Sequence, residues 1–194
     1  GKGLDGGYFH LTLLAKDFPG YQHLVRLASR AYLEGFDEKP RLDRELPREH
    51  AEGLIALSAC LGGGVPQRLL QNDYDDAKRY ALELSRIFGE GNFFLELQDH
   101  GIPEQRSVNS ALLAMSRELD IPLVATNDVH YTYDDDVLPH DILLCIQTAK
   151  KLSDEDRMRY EGGQYYVKSE EEMRMLFPYA LEAIENTQKI ADRC

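Results

Sequence analysis

At 194 residues with 43% apolar side chains, the chain is long enough to bury a core and too apolar to be a disordered tail. With 34 acidic against 22 basic side chains it carries a formal charge of -12, a field that repels phosphate at long range and argues against this segment alone being a nucleic-acid platform. No apolar run approaches the roughly 20 residues that cross a bilayer, no charged-then-apolar leader opens the chain, and three scattered cysteines make no disulfide framework, so a reducing cytoplasm without a membrane partner is expected.

In chain order, Tyr8 to Ala15 reads as a strand, followed by a helix from about Tyr21 to Leu33 with Leu24, Val25, Leu27, Ala28 and Ala31 on one stripe and Gly35 beyond its end. A short charged helix near Arg44 to Ala51 tolerates Pro47 only in its first turn. Gly53 to Cys60 reads as the second strand, with Gly62, Gly63 and Gly64 as a turn after it. A helix from about Tyr74 to Phe88, a strand Asn92 to Gln98, a helix from about Glu104 to Leu119 and a buried strand Ile121 to Ala125 follow, then a helix from about Asp135 to Thr148. Past Thr148 come a charged loop, a short strand Gln164 to Lys168 and a final helix pair that begins after Ser169, where Glu170, Glu171 and Glu172 suit the positive end of a helix dipole.

Strands alternating with helices predict an α/β fold with a parallel sheet, either an open sheet or a barrel, in which ligands gather at the carboxyl ends of the strands. Successive strands end in Ser58-Ala59-Cys60, Gln98-Asp99-His100 and Asn127-Asp128-Val129-His130. If the last of these continues its strand, Asp128 and His130 leave from one face, because side chains at i and i+2 of a strand do so. A carboxylate and an imidazole that converge there suit Zn²⁺ or Mn²⁺, although polar residues closing a strand also form turns and caps. His10 reads on pattern as a core histidine and Cys60 as a small buried hydrophobe, with ligand roles as the alternative. His100 is a turn residue or a phosphate contact, Glu96 is undecided, and His140 is a neighbour of the site or of a helix cap. His23 and His50 read as surface residues, and Cys145 as core. Phosphate-loop, serine-hydrolase and zinc-ribbon motifs do not occur.

The segments Tyr8-Phe9-His10-Leu11-Thr12-Leu13-Leu14-Ala15-Lys16, Lys39-Pro40-Arg41, Gly53-Leu54-Ile55-Ala56-Leu57-Ser58, Phe94-Leu95-Glu96, Ala125-Thr126-Asn127-Asp128-Val129-His130-Tyr131 and Ser169-Glu170-Glu171-Glu172-Met173 together resemble the PHP (polymerase and histidinol phosphatase) domain of bacterial DNA polymerase III alpha subunits. That resemblance implies an irregular seven-stranded β/α barrel, TIM-like, of which residues 1–150 would be the carboxyl-terminal portion and residues 151–194 its end leading toward a polymerase core. It implies a multinuclear site for Zn²⁺ or Mn²⁺ with 3′-5′ exonuclease chemistry. His10, Cys60, Asp128 and His130 match the family's metal ligands, Asp128 and His130 being those closest to the chemistry. The family's earlier His-x-His, Asp-His-Gly and glutamate elements have no counterpart here, and the expectation is that the chain begins after them and is inactive alone. DNA and deoxynucleotides would reach it through the parent polymerase, whose Mg²⁺-dependent core, sliding-clamp contact and other replisome contacts would lie outside this segment. Two alternatives stay open: a free-standing PHP phosphoesterase acting on a small phosphate ester, and a non-catalytic PHP domain kept as a scaffold.

Overall fold

In a computed structural model the protein is described over residues 8–35, 41 and 45–194. Four strands, β1 (Thr12–Ala15), β2 (Leu54–Leu57), β3 (Phe93–Leu97) and β4 (Leu123–Ala125), form one sheet in the order β1-β2-β3-β4. β2, β3 and β4 run parallel, as the strand-helix rhythm predicts, but β1 is antiparallel to β2, with Thr12 opposite Leu57 and Ala15 opposite Leu54. The rhythm alone does not see this reversal, because direction is set by how the intervening chain returns. Every residue of β2, β3 and β4 is buried, which is why these strands read as continuous apolar runs. One face packs Leu54, Ala56, Phe93, Leu95, Leu97, Leu123 and Ala125 into the larger core, and the other packs Ile55, Leu57, Phe94 and Val124 with Ile190. The described residues form this open four-stranded sheet and not a closed seven-stranded barrel.

The helices follow their caps. α1 (Phe18–Leu33) starts before Tyr21 because Asp17 accepts from the Gly20 N–H at 2.7 Å and Pro19 sits in the first turn. Its buried face is Gly20, Leu27 and Ala31, whereas Val25 and Ala28 are exposed and do not join the expected stripe. α2 (Glu45–Glu49) places Pro47 in its first turn, as its missing N–H requires, while Arg44, Lys39 and Pro40 lie outside the described residues. α3 (Gly64–Leu70) is a helix that periodicity did not announce, since it begins within the glycine run. α4 (Tyr74–Phe88) spans the predicted residues, with Asp73 capping the Asp76 N–H and Gly89 at positive φ beyond its end. α5 (Pro103–Leu119) and α6 (Val137–Thr148) also lie where expected, α6 being preceded by a 3₁₀ turn over Asp134–Asp136.

The expected strand over residues 164–168 is not formed. Its carbonyls are taken by the loop after β4 instead of by a ladder: the His130 N–H donates to Tyr165 O at 2.9 Å, and Asn127 Nδ2 donates to Gln164 O and Tyr166 O at 2.8 and 2.7 Å. α7 (Glu170–Leu176) opens with a reciprocal cap between Ser169 and Glu172. α8 (Leu181–Ala191) covers the outer edge of β4, where Asn186 Nδ2 donates to Leu123 O at 2.7 Å. Among the described residues, no helix is long and apolar enough to cross a membrane.

Candidate functional site

The reversal of β1 matters for the site. In an all-parallel sheet a residue preceding the first strand would lie at the edge opposite the carboxyl ends. Here Thr12 pairs with Leu57, the last residue of β2, so His10 is carried to the edge where β2, β3 and β4 end. Its N–H donates to Gly62 O at 3.0 Å and it forms a bridge to Gly63. His10 is therefore an exposed residue at that edge and not a core histidine. Its Nδ1 lies 3.5 Å from Cys60 Sγ, and the absence of a side chain at Gly62 leaves that nitrogen approachable, since a Cβ there would stand 3.1 Å from it.

Cys60 is half-buried at the end of the β2 turn, after Ala59 at φ 66°. Burial pushes its thiol up, a contact with the Gly62 backbone pulls it down, and the charges of Asp128 and Glu96 push it up again. Asp128 and His130 also come together, with Oδ1 and Nε2 at 3.6 Å. The route differs from the strand argument: β4 stops at Ala125, Asp128 is left-handed at φ 41°, and an irregular turn brings the pair together. Tyr160 and Tyr165 flank His130, with ring centroids 4.2 and 5.7 Å away, and the His140 ring stands 5.7 Å off. Neither tyrosine carries a local sequence signal; they arrive through the loop that replaces the expected last strand.

Behind these turns lies a buried polar layer. Glu96, on the central strand β3, is 6% exposed, and its carboxylate accepts from the Ala59 N–H at 2.9 Å, from Gln98 Nε2 at 3.1 Å and from Thr126 Oγ1. Burial raises its proton affinity against these hydrogen bonds, and Asp128 adds to the rise. His100 is buried, not solvent-facing, and stacks on Tyr165 at 3.9 Å. Gln105 Oε1 accepts from the His100 backbone, so its Nε2 donates to His100 Nδ1, and Nε2–H of the ring donates to Asn127 O at 2.9 Å. With both ring nitrogens engaged, His100 is no phosphate contact. Asp99 accepts from the Gly101 N–H in a turn, and Cys145 is core as expected. His23 and His50, which read as surface residues, are half-buried neighbours with ring centroids 5.3 Å apart.

The candidate ligands thus form two pairs, His10 with Cys60 and Asp128 with His130. Among the described residues, no three His, Cys, Asp or Glu side chains converge closely enough to hold one ion. As a donor set, two imidazoles, a thiol and a carboxylate fit Zn²⁺, and the imidazoles and carboxylate fit Mn²⁺. The Asp128 charge raises the proton affinity of both the Cys60 thiol and the Glu96 carboxylate, and Glu96 raises that of the thiol, a repulsion that a cation beside them would reverse.

The family profile described as PHP domain matches residues 3–100. The chain is 55% identical over 197 residues to the DNA polymerase III subunit alpha of Thermus aquaticus, covering 100% of this chain and 16% of that protein. It is 49% identical over 191 residues to that of Deinococcus radiodurans, covering 97% and 14%, and 47% identical over 187 residues to that of Treponema pallidum, covering 96% and 16%. The chain therefore spans about a sixth of the length of these relatives.

Proposed function

Because this chain belongs to the PHP domain family, we propose that it is a metal-binding phosphoesterase domain within a bacterial replicative DNA polymerase III alpha subunit. Residues 1–150 form the carboxyl-terminal portion of a seven-stranded barrel and residues 151–194 lead toward the polymerase core. DNA, deoxynucleotides, the sliding clamp and other replisome subunits are partners of that longer cytoplasmic protein, whose core uses Mg²⁺. The observation that carries the reading is the arrival of His10, Cys60, Asp128 and His130 at one sheet edge from widely separated parts of the chain.

In this reading His10, Cys60, Asp128 and His130 hold Zn²⁺ or Mn²⁺, with the remaining ligands supplied from beyond the described residues. A bound divalent cation supplies Lewis acidity and an activated water for phosphodiester hydrolysis at a DNA 3′ end. Asp128 Oδ1 and His130 Nε2, 3.6 Å apart, are close enough for one cation to take both, and the rings of His140 and Tyr160 stand beside the imidazole. The buried layer of Glu96, Gln98 and His100 keeps water from the back of these turns. The 194 residues alone are expected to be inactive.

Elemental analysis of the chain at its full natural length, with and without Asp128→Asn, tests the reading alongside a 3′-5′ exonuclease assay. Bound metal and nuclease activity should both fall in the variant. A wild-type protein devoid of metal overturns the reading, and loss of metal with unchanged nuclease activity reduces the domain to a scaffold.

A further inference from the structure

We propose that Glu96 is a positioning residue that fixes the Cys60 turn and the Asp128 turn relative to one another. The inference rests on the reading that Cys60 and Asp128 are metal ligands, and it adds a residue that matches no ligand position.

Glu96 stands on β3, between the two strands whose ends carry those turns. Its two carboxylate oxygens divide between them. Oε2 accepts from the backbone N–H of Ala59, immediately before Cys60, and Oε1 accepts from the hydroxyl of Thr126, two residues before Asp128. Its own N–H donates to Ser58 Oγ at 2.8 Å, a second tie to the β2 turn, and Gln98 Nε2 bridges Oε1 and Thr126 Oγ1 at 3.1 Å each. Ala59 and Asp128 both hold left-handed backbone that non-glycine residues seldom adopt, so neither turn keeps that shape without outside constraint. A buried carboxylate is a costly way to occupy a mid-sheet position opposite Val124. An apolar side chain would pack there with Phe94, but it could accept from neither turn.

The test is Co²⁺ binding to the chain at its full natural length, freed of other metals, with wild type compared to Glu96→Gln. Thiolate ligation by Cys60 gives a sulfur-to-cobalt charge-transfer band, and the visible bands report the rest of the coordination. Gln has the same shape but presents a donor at one edge, so it cannot accept from both turns. The expected result is Co²⁺ affinity lower by about 10–100-fold, the loss typical of removing a ligand's supporting partner, with a weaker or shifted thiolate band at saturation. General destabilisation would leave the saturated spectrum as in wild type. Wild-type affinity and spectrum in the variant overturn the proposal while leaving the metal reading intact. Absence of the thiolate band in wild type overturns both. If Glu96→Gln does not fold, Thr126→Val cuts the tie on the Asp128 side alone; it should shift the visible bands, and wild-type behaviour there also overturns the proposal.

Discussion

A buried histidine with both ring nitrogens engaged is a clock set to one protonation state. Burial lowers the His100 pKa from its ordinary value near 6.5, against the opposing pull of its Asn127 hydrogen bond and the Asp128 charge. Protonation at Nδ1 would also remove the acceptor that Gln105 donates to. A folded pKa below the unfolded one contributes stability that is present above the unfolded value and is lost as pH falls through the folded value. His100→Gln should therefore be less stable than wild type by about 1–3 kcal/mol at pH 8. In urea titrations that gap should narrow as pH falls below the ordinary imidazole range. A gap that holds constant to pH 5 would show that His100 does not titrate with unfolding. The same residue shows what a sequence conceals: His100 before Gly101 reads as a turn or a phosphate contact, and only Gln105, Asn127 and Tyr165 enclosing it decide for a buried residue of the turn with no ring nitrogen left for phosphate.

At the scale of elements, the helices are the most legible part of the chain because capping is local. Asp73 and Gly89 bound α4, and Ser169 with Glu172 opens α7, all within a few residues of the ends they define. The turn after β2 is the opposite case, since it is shaped by close approach. Gly63 sits against the carbonyl oxygen of Ser58, where any Cβ would collide with backbone, and its N–H donates to Cys60 O at 2.8 Å. Gly63→Ala should cost about 1–3 kcal/mol by overpacking and should also pull Cys60 away from His10. Thermal unfolding and the rate of Cys60 alkylation at fixed pH read these two effects separately. A variant with wild-type Tm and alkylation rate would show that the turn yields without cost. The three glycines announce a turn in the sequence, but not that one of them starts α3.

Across the whole molecule the formal charge is -12, and one local repulsion lies where the charges of Asp128 and Glu96 raise the proton affinity of Cys60. A ligand that binds only the folded state stabilises it by about 2.7 kcal/mol at a hundredfold excess over its Kd. Mn²⁺ or Zn²⁺ should therefore raise the Tm of the chain at its full natural length, and a chelator should lower it. Asp128→Asn should respond to neither, and an equal response in variant and wild type would place the cation elsewhere. By itself, the sequence determined most of the helices and the buried strands β2, β3 and β4, although not α3 and not the absence of a strand over residues 164–168, and its ordered motifs pointed to the family and nominated four candidate ligands, because periodicity, caps and motifs are written in neighbouring residues. Only the tertiary structure decided that β1 runs backward and brings His10 to the edge where β2, β3 and β4 end, that a left-handed turn and not a strand pairs Asp128 with His130, and that Glu96 joins two turns. Each of these depends on contacts between segments distant in the chain, and strand direction, turn handedness and the partner of a buried carboxylate leave no mark in local spacing.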